Sequence, residues 1–151
     1  MSNEELKKII TGFESSVEFS ENKFLNITVT NDKFLSLATK LKENTETNFD
    51  YLVNITGVDN KNNLSCIYFL ESTKFKHIVI LRTSSIDRIN PEIPTVSLLW
   101  KTADFQEREI WDLLGIRFIG HKDLRRIYLE EDWKGHPLRK DYVDEINIIE
   151  R

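Results

Sequence analysis

The sequence predicts an α+β fold: a two-layer sandwich whose helices cover one face of a mixed, mostly antiparallel sheet, followed by a C-terminal extended segment. Three observations support this prediction. Helix-like and strand-like hydrophobic spacings alternate over residues 1–99, and turn-forming residues separate the later strands of that region. A chain of 151 residues is also long enough to bury one substantial core.

The first helix is predicted to begin at a capping box formed by Ser2 and Glu5. Apolar residues then alternate from residue 25 to residue 29, which indicates a half-buried strand. A second helix is expected to start with Asn31 or Asp32 as its cap. The side chains expected to face inward are Leu6, Ile9, Ile10 and Phe13 in the first helix and Phe34, Leu35, Ala38 and Leu41 in the second.

Three further strands are predicted at residues 49–55, 64–70 and 75–82. Turn-forming residues at 59–63 and 72–74 separate them, which favours antiparallel hairpins. Cys66 lies within an apolar strand, so we interpret it as a buried structural thiol rather than a nucleophile.

The composition excludes several classes of protein. Hydrophobic residues make up 40% and charged residues 30%, which is typical of a globular protein, and no apolar stretch approaches the length of a membrane span. The acidic N-terminus is not expected to act as a secretory signal. A net charge of −4 gives no reason to expect a nucleic-acid partner. A single cysteine excludes an internal disulfide and a Cys-ligated iron–sulfur cluster in this chain.

The basic residues change in type near Trp100. Residues 1–99 hold nine Lys and two Arg, whereas residues 100–142 hold four Lys and five Arg with nine acids to balance them. Arginine is favoured where ion pairs are partly desolvated. The sequence therefore predicts a scaffold at 1–99, a helix and extended docking region of the same domain at 100–142, and a tail at 143–151.

A third helix is predicted from Asp104 to residue 114, with Gly115 as its stop signal. Glu107 falls inside the apolar arc of this helix. Arg108 and Asp112 fall on the opposite side together with Glu109, at the i,i+4 spacing that suits an ion pair.

A carboxylate on an apolar face has two interpretations. Glu107 could be a general acid or base with a raised pKa, or a structural anion that holds Arg125, Arg126 or Arg139. We favour the structural anion, because no nucleophile accompanies Glu107 in the sequence. A small hydrolase that uses Glu107 or Asp112 with His121 is the rival hypothesis.

Other kinds of chemistry find little support. His121 and His136 each follow a glycine, but their spacing matches no metal-ligand template, so we interpret them as hydrogen-bonded loop histidines. No glycine-rich phosphate loop or nucleophile elbow is present. The sequence thus predicts a chain without a catalytic site of its own.

Residues 133–142 read WKGHPLRKDY, in which a glycine and a proline favour an extended segment that displays basic residues between aromatics. Arginine and large aromatics are enriched at protein–protein hot spots, so we favour an interface over a solvated loop. Phe105, on the polar side of its helix, adds to this interpretation.

Three motifs follow one another in the second half of the chain: ADFQEREIWDLLGI at 103–116, FIGHKDLRRI at 118–127 and DWKGHPLRKDY at 132–142. In these motifs the chain resembles the C subunit (30-kDa subunit) family of respiratory complex I, the NADH:quinone oxidoreductase. The resemblance implies a non-catalytic subunit of the peripheral arm that supports assembly, electron transfer from NADH to quinone and the coupled proton translocation.

The resemblance also implies partners and a location. The expected partners are the large D subunit (49-kDa) and the B and I subunits of complex I, on the cytoplasmic side of the inner (plasma) membrane without a direct membrane span. NADH, FMN, iron–sulfur clusters and quinone would belong to partner subunits, with no cofactor in this chain. The alternative is the equivalent subunit of a membrane-bound hydrogenase, formate hydrogenlyase or F420H2 dehydrogenase. Residues expected at the partner interface or in structural ion pairs are Glu107, Arg108, Glu109, Asp112, Arg125, Arg126, Trp133, Arg139, Lys140 and Asp141.

Overall fold

A computed structural model describes residues 1–144. The predicted α+β class is confirmed, while residues 145–151 of the predicted tail lie outside the described range. The elements are α1 (Asn3–Phe13), β1 (Glu18–Glu21), β2 (Leu25–Thr28), α2 (Asn31–Glu43), β3 (Tyr51–Asp59), β4 (Leu64–Ser72), β5 (His77–Ser85), β6 (Glu92–Pro94), α3 (Ala103–Leu114) and β7 (Arg117–Ile119).

The main sheet has five strands in the order β1-β2-β5-β4-β3. The predicted hairpins β3–β4 and β4–β5 are antiparallel, as is β1–β2, whereas β2 and β5 pair in parallel. The sheet is therefore mixed and mostly antiparallel, as predicted. A second, parallel sheet consists of β6 and β7. The strands β1, β6 and β7 were not predicted, because β6 and β7 have only three residues and β1 (EFSE) has a single apolar residue, so none shows a period of two.

The helices α2 and α3 lie on one face of the main sheet. The ring of Phe34 in α2 packs against Tyr68 in β4, with 4.8 Å between the ring centroids. Leu114 in α3 lies against Gly57 in β3. Gly57 pairs with Cys66, which shares the buried face of β4 with Tyr68. Both helices therefore cover the same side, and the two-layer sandwich is confirmed.

The caps and buried faces of α1 and α2 agree with the sequence-based prediction in part. Ser2 and Glu5 form the predicted capping box at the start of α1. In α2 the N-cap is Thr30, without a side-chain capping bond, rather than Asn31 or Asp32. Asn31 instead donates its side-chain N–H to the backbone carbonyl of Glu92. Leu35 is exposed and Leu37 is buried in its place, because the stripe that meets the sheet is 34, 37, 38 and 41.

Two side-chain contacts attach α3 and the residues just before it to the edge strand β3 and to Phe49, which precedes that strand. The indole N–H of Trp100 donates to the carbonyl of Phe49 at 3.1 Å. The side-chain oxygen of Gln106 accepts from the backbone N–H of Ile55 at 2.6 Å. Gln106 thereby satisfies one N–H group on the otherwise free edge of the sheet. No helix in residues 1–144 is long and apolar enough to cross a membrane.

The close approach of α3 to β3 at Gly57 yields a prediction. A Cβ at Gly57 would lie 2.5 Å from Leu114 Cδ1 and 2.9 Å from Ile110 Cγ2, closer than real Cβ contacts. We expect Gly57→Ala to lower the free energy of unfolding by about 1–3 kcal/mol, measured by chemical denaturation, because the helix must shift away.

The matched control is Gly12→Ala in α1, where nothing lies within 4 Å of the added methyl group. This change should stabilise the protein by about 0.5–1 kcal/mol, since alanine favours helix interiors over glycine. Equal stability of both variants would contradict the tight packing of α3 on β3.

Candidate protein interface

Helix α3 carries three buried ionisable side chains, Glu107, Arg108 and Asp112. The ion pair suggested by the i,i+4 spacing of Arg108 and Asp112, on the side of α3 opposite the apolar arc, does not form, because each side chain has other partners. Residues 120–142, here called the C-terminal segment, fold back over that side of the helix. Arg108 donates to the carbonyls of Arg125 (3.3 Å) and Arg126 (3.5 Å) in this segment. The side of α3 that carries Arg108 and Asp112 is therefore covered by this segment, while Phe105 and Glu109 stay exposed.

Asp112 is the centre of these contacts and is inaccessible to solvent. Its Oδ1 accepts from Arg126 Nη1 at 2.9 Å. Its Oδ2 accepts from three consecutive backbone N–H groups, of Ile127 (3.1 Å), Tyr128 (2.7 Å) and Leu129 (3.2 Å). Burial alone would raise the pKa of Asp112, but the Arg126 bond and these three backbone bonds outweigh it and lower the pKa.

Arg126 extends this attachment along the chain. Its Nη1 also donates to the carbonyl of Asp112 at 2.8 Å. Its Nη2 donates to the carbonyls of Trp133 (3.0 Å) and Gly135 (2.8 Å). One guanidinium thus bonds three backbone carbonyls and one carboxylate, and it fixes the loop from 126 to 135 against the end of α3.

A second group of ion pairs holds the other end of the C-terminal segment. Arg88 donates to both carboxylate oxygens of Asp59, at 2.7 and 2.9 Å, and this pairing lowers the pKa of Asp59. The backbone N–H of Lys140 donates to Asp59 Oδ2 at 2.9 Å. Asp141 accepts from Arg139 and, at 3.3 Å, from Arg88. Sequence reasoning missed Asp59 and Arg88, because Asp59 was assigned to a turn and neither lies in the motif.

His136 fills the space beside the C-terminus of α3. Its Nδ1 lies 3.0 Å from the carbonyl oxygen of Asp112, and its ring packs on Trp111 with 5.0 Å between centroids. Gly115 ends the helix with φ +76°, and a Cβ there would lie 2.5 Å from His136 Cδ2. Burial lowers the pKa of His136. Its contacts are those of a structural loop histidine, and residues 1–144 contain no group of three or more ligand side chains placed for a metal ion.

The structure corrects the expectation that an arginine neutralises Glu107. Glu107 accepts instead from the hydroxyl of Thr95 (2.5 Å) and the backbone N–H of Val96 (2.8 Å) in the loop after β6. His121 Nε2 lies 3.9 Å from the carboxylate. Burial raises the pKa of Glu107 to about 7 against these two hydrogen bonds, and Asp104 adds to the rise.

The three arginines expected at Glu107 bind other acids. Their ion-pair partners are Asp123 for Arg125, Asp112 for Arg126 and Asp141 for Arg139. A hydroxyl and a main-chain N–H therefore stabilise Glu107 where a cation was predicted. Because Glu107 is inaccessible to solvent, no substrate reaches it, which argues against the hydrolase hypothesis.

The outer surface of the C-terminal segment is rich in exposed apolar side chains. Tyr128 is 66% exposed and Leu138 61% exposed, and Trp133 lies between them in the chain. Phe105 is exposed on α3, with the Arg108 guanidinium 5.3 Å from its ring centroid. Exposed apolar side chains on a backbone fixed from within are typical of an interaction surface. Glu109 and Lys140 are also exposed.

Comparison with known proteins identifies the family. A family model described as the 30-kDa subunit of respiratory-chain NADH dehydrogenase matches residues 27–146. The chain belongs to this family. The match begins within β2 and includes every later element from α2 to β7 and the whole C-terminal segment.

Two relatives show the range of the 30-kDa subunit family. The C subunit of NADH-quinone oxidoreductase from Moorella thermoacetica is 40% identical over 113 residues, 74% of each chain. The C/D subunit of NADH-quinone oxidoreductase from Phocaeicola vulgatus is 46% identical over 101 residues, which cover 66% of this chain and 20% of that protein. The chain therefore spans only a fifth of the C/D relative.

A solved structure shares the fold. It is a chain of the membrane-bound sulfane sulfur reductase, an archaeal respiratory membrane complex, with a TM-score of 0.79 and 25% sequence identity. The likeness covers 95% of this chain and 86% of that one. The 30-kDa subunit fold thus occurs in more than one kind of respiratory complex.

The buried Glu107 predicts a pH dependence of stability. A folded-state pKa near 7, above the ordinary value of 4.5, means that the folded protein binds more protons than the unfolded chain between these values. The Glu107 contribution to the free energy of unfolding should fall by about 2–3 kcal/mol as pH rises from 5 to 8. Glu107→Gln should remove this fall. Parallel stability curves for the two proteins across this range would contradict the buried, proton-linked Glu107.

Asp112 predicts a local effect on the C-terminal segment. Asp112→Asn replaces one acceptor oxygen by an N–H donor and removes the charge that pairs with Arg126. We expect amide hydrogen exchange at residues 127–129 to accelerate at least about tenfold, the factor for one weakened bond of about 1.4 kcal/mol, while β4 stays protected.

The matched control is Asp123→Asn, which breaks the exposed Asp123–Arg125 pair. Exposed pairs contribute about 0–1 kcal/mol, so exchange at 127–129 should stay at the wild-type rate. Equal exchange in the Asp112 and Asp123 variants would show that Asp112 does not hold the segment.

Proposed function

We propose that this protein is a non-catalytic subunit of the peripheral arm of an NADH:quinone oxidoreductase. It supports assembly of the arm in which other subunits transfer electrons from NADH to quinone and couple this to proton translocation. One observation carries the proposal. Charged side chains of the motif form hydrogen bonds within the chain that fix the C-terminal segment, and the outer surface of that segment presents exposed apolar side chains.

The hydrogen-bond partners of Asp112 and Arg126 favour a docking role over a catalytic role for the motif. Asp112 is fully occupied by an arginine and three backbone N–H groups. Arg126 is occupied by three carbonyls and that carboxylate. Side chains that are held by hydrogen bonds inside the chain in this way are not free to bind a substrate. They shape a surface, and Tyr128 and Leu138 form part of what it offers to a partner.

The proposed partner of this surface is the large D subunit (49-kDa), with the B and I subunits nearby as the family resemblance implies. The names of relatives support this assignment, because the proteins from Phocaeicola vulgatus and Bacteroides fragilis are named as the C/D subunit, one protein for both. In the C/D relatives this surface would contact the 49-kDa part of the same polypeptide. In this protein it would contact a separate 49-kDa subunit.

The same proposal assigns the cofactors elsewhere. Cys66, the only cysteine in the chain, is fully buried, and burial raises the pKa of its thiol, so it remains a protonated core residue. Glu107 is equally inaccessible. We therefore assign NADH, FMN, iron–sulfur clusters and quinone to partner subunits, and this chain to the cytoplasmic side of the membrane as a peripheral component.

A second candidate function is the equivalent subunit in a different respiratory complex, such as a membrane-bound hydrogenase, a formate hydrogenlyase or an F420H2 dehydrogenase. The likeness to a chain of the sulfane sulfur reductase complex favours this class, since it covers 95% of the protein. The two candidates differ in the electron donor of the complex that contains the chain. NADH-dependent quinone reduction by the purified complex selects the first.

Purification of a tagged chain from detergent-solubilised membranes tests the proposal. We expect a homologue of the 49-kDa subunit to be recovered with the wild-type chain, and the double change Tyr128→Glu and Leu138→Glu to reduce the recovered amount at least about tenfold, because two apolar contacts become buried charges.

The matched control is Leu98→Glu, at a position that is 71% exposed but lies outside the C-terminal segment. It should recover the 49-kDa subunit as the wild type does. Recovery of the chain alone from membranes that contain the 49-kDa subunit, or equal loss in both variants, would overturn the proposed docking surface.

A further inference from the structure

A groove of about 800 Å³ lies at one end of the main sheet, away from the contacts of Asp112. The ends of β2 and β5 and the start of α2 form one wall, and the small β6–β7 sheet forms the other. Its apolar lining includes Val29, Pro94, Ile119 and Ile86, the last of which is 86% exposed on the rim. Because Ile86 projects into solvent, the groove is open to a chain laid along it rather than closed around a small molecule.

The charge of this groove has one sign. Its lining includes Glu18, Asp32 and Glu92 and no lysine, arginine or histidine. Glu18 and Asp32 form no ion pair with any of residues 1–144, and Glu92 has only Arg117 at 3.9 Å. Carboxylates left unpaired around an apolar floor complement a segment with apolar residues on one side and cations beside them.

One lysine lies at the rim of this groove. Lys33, next to Asp32 in the chain, donates to Glu14 at 3.0 Å and to the hydroxyl of Ser16 at 3.1 Å. Ser16 lines the groove and Glu14 does not, so this ammonium lies at the rim of the groove and pairs with an acid outside its lining. The carboxylates of Glu18 and Asp32 remain available to an incoming cation.

We propose that this groove binds a basic amphipathic segment of a neighbouring polypeptide, as a second docking site separate from the C-terminal segment. This inference rests on the proposed function, because it requires that the chain be assembled with other subunits. The apolar side of the bound segment covers Ile86 and Ile119, and its lysine or arginine side chains pair with Glu18, Asp32 and Glu92.

Photo-crosslinking in the intact purified complex tests this proposal. The amino acid p-benzoylphenylalanine is placed at position 86 in one preparation and at position 128 in another, and the crosslinked peptides are identified by mass spectrometry. We expect the probe at 86 to capture a peptide of another subunit that contains at least two Lys or Arg among apolar residues.

Charge reversal distinguishes the basic segment from a purely apolar contact. Glu18→Lys should lower the yield from position 86 about fivefold, the factor expected for one exposed ion pair. Glu43→Lys makes the same charge change on the last turn of α2, outside the groove, and should leave the yield unchanged. Equal yields in both variants would overturn the electrostatic part of the inference.

The remaining outcomes are also decisive. Capture of an acidic peptide, of lipid alone or of no product at position 86, while position 128 captures another polypeptide of the complex, would overturn the second docking site and leave the proposed function standing. Absence of product from both positions would overturn the proposed function as well.

Discussion

The buried carboxylate of Asp112 is the constraint on which the C-terminal half of the protein depends. Removing a carboxylate from water costs several kcal/mol unless donors replace the solvent. Here one arginine and three consecutive backbone N–H groups do so. Because those N–H groups belong to Ile127, Tyr128 and Leu129, satisfying the charge also determines the path of the chain after residue 126.

A long segment without regular secondary structure explains why so many charges are concentrated there. Fixing each backbone residue costs about 1–2 kcal/mol of conformational entropy, and residues 120–142 have no helix or strand to offset it. The Asp112–Arg126 pair holds one end of this segment, and the pairing of Asp59 with Arg88 and the backbone of Lys140 holds the other. The arginines of this segment thus serve to order a surface. A catalytic role for the same residues would not require that.

Local signals in the sequence predicted the parts of the fold that depend on neighbouring residues. The capping box at Ser2 and the stop at Gly115 involve groups within one helical turn, and the hairpins depend on the turns between them. The contacts of the candidate site were harder to predict. A helical wheel shows that Asp112 and Glu107 lie on different sides of α3, but it does not show which part of the chain covers each side. The C-terminal segment covers one and the loop after β6 covers the other, so both carboxylates are buried. The partners of Glu107 are a hydroxyl and a backbone N–H, which residue charge cannot reveal.

In the proposed function, another subunit covers the outer surface of the C-terminal segment. Hydroxyl-radical footprinting of Tyr128, Trp133 and Leu138 in the intact complex, compared with the chain released from it, measures this directly. We expect these three side chains to be protected several-fold in the complex, while Leu98, which is exposed outside this segment, is labelled equally in both states. Equal labelling of Tyr128 and Leu138 in the complex and in the released chain would contradict it.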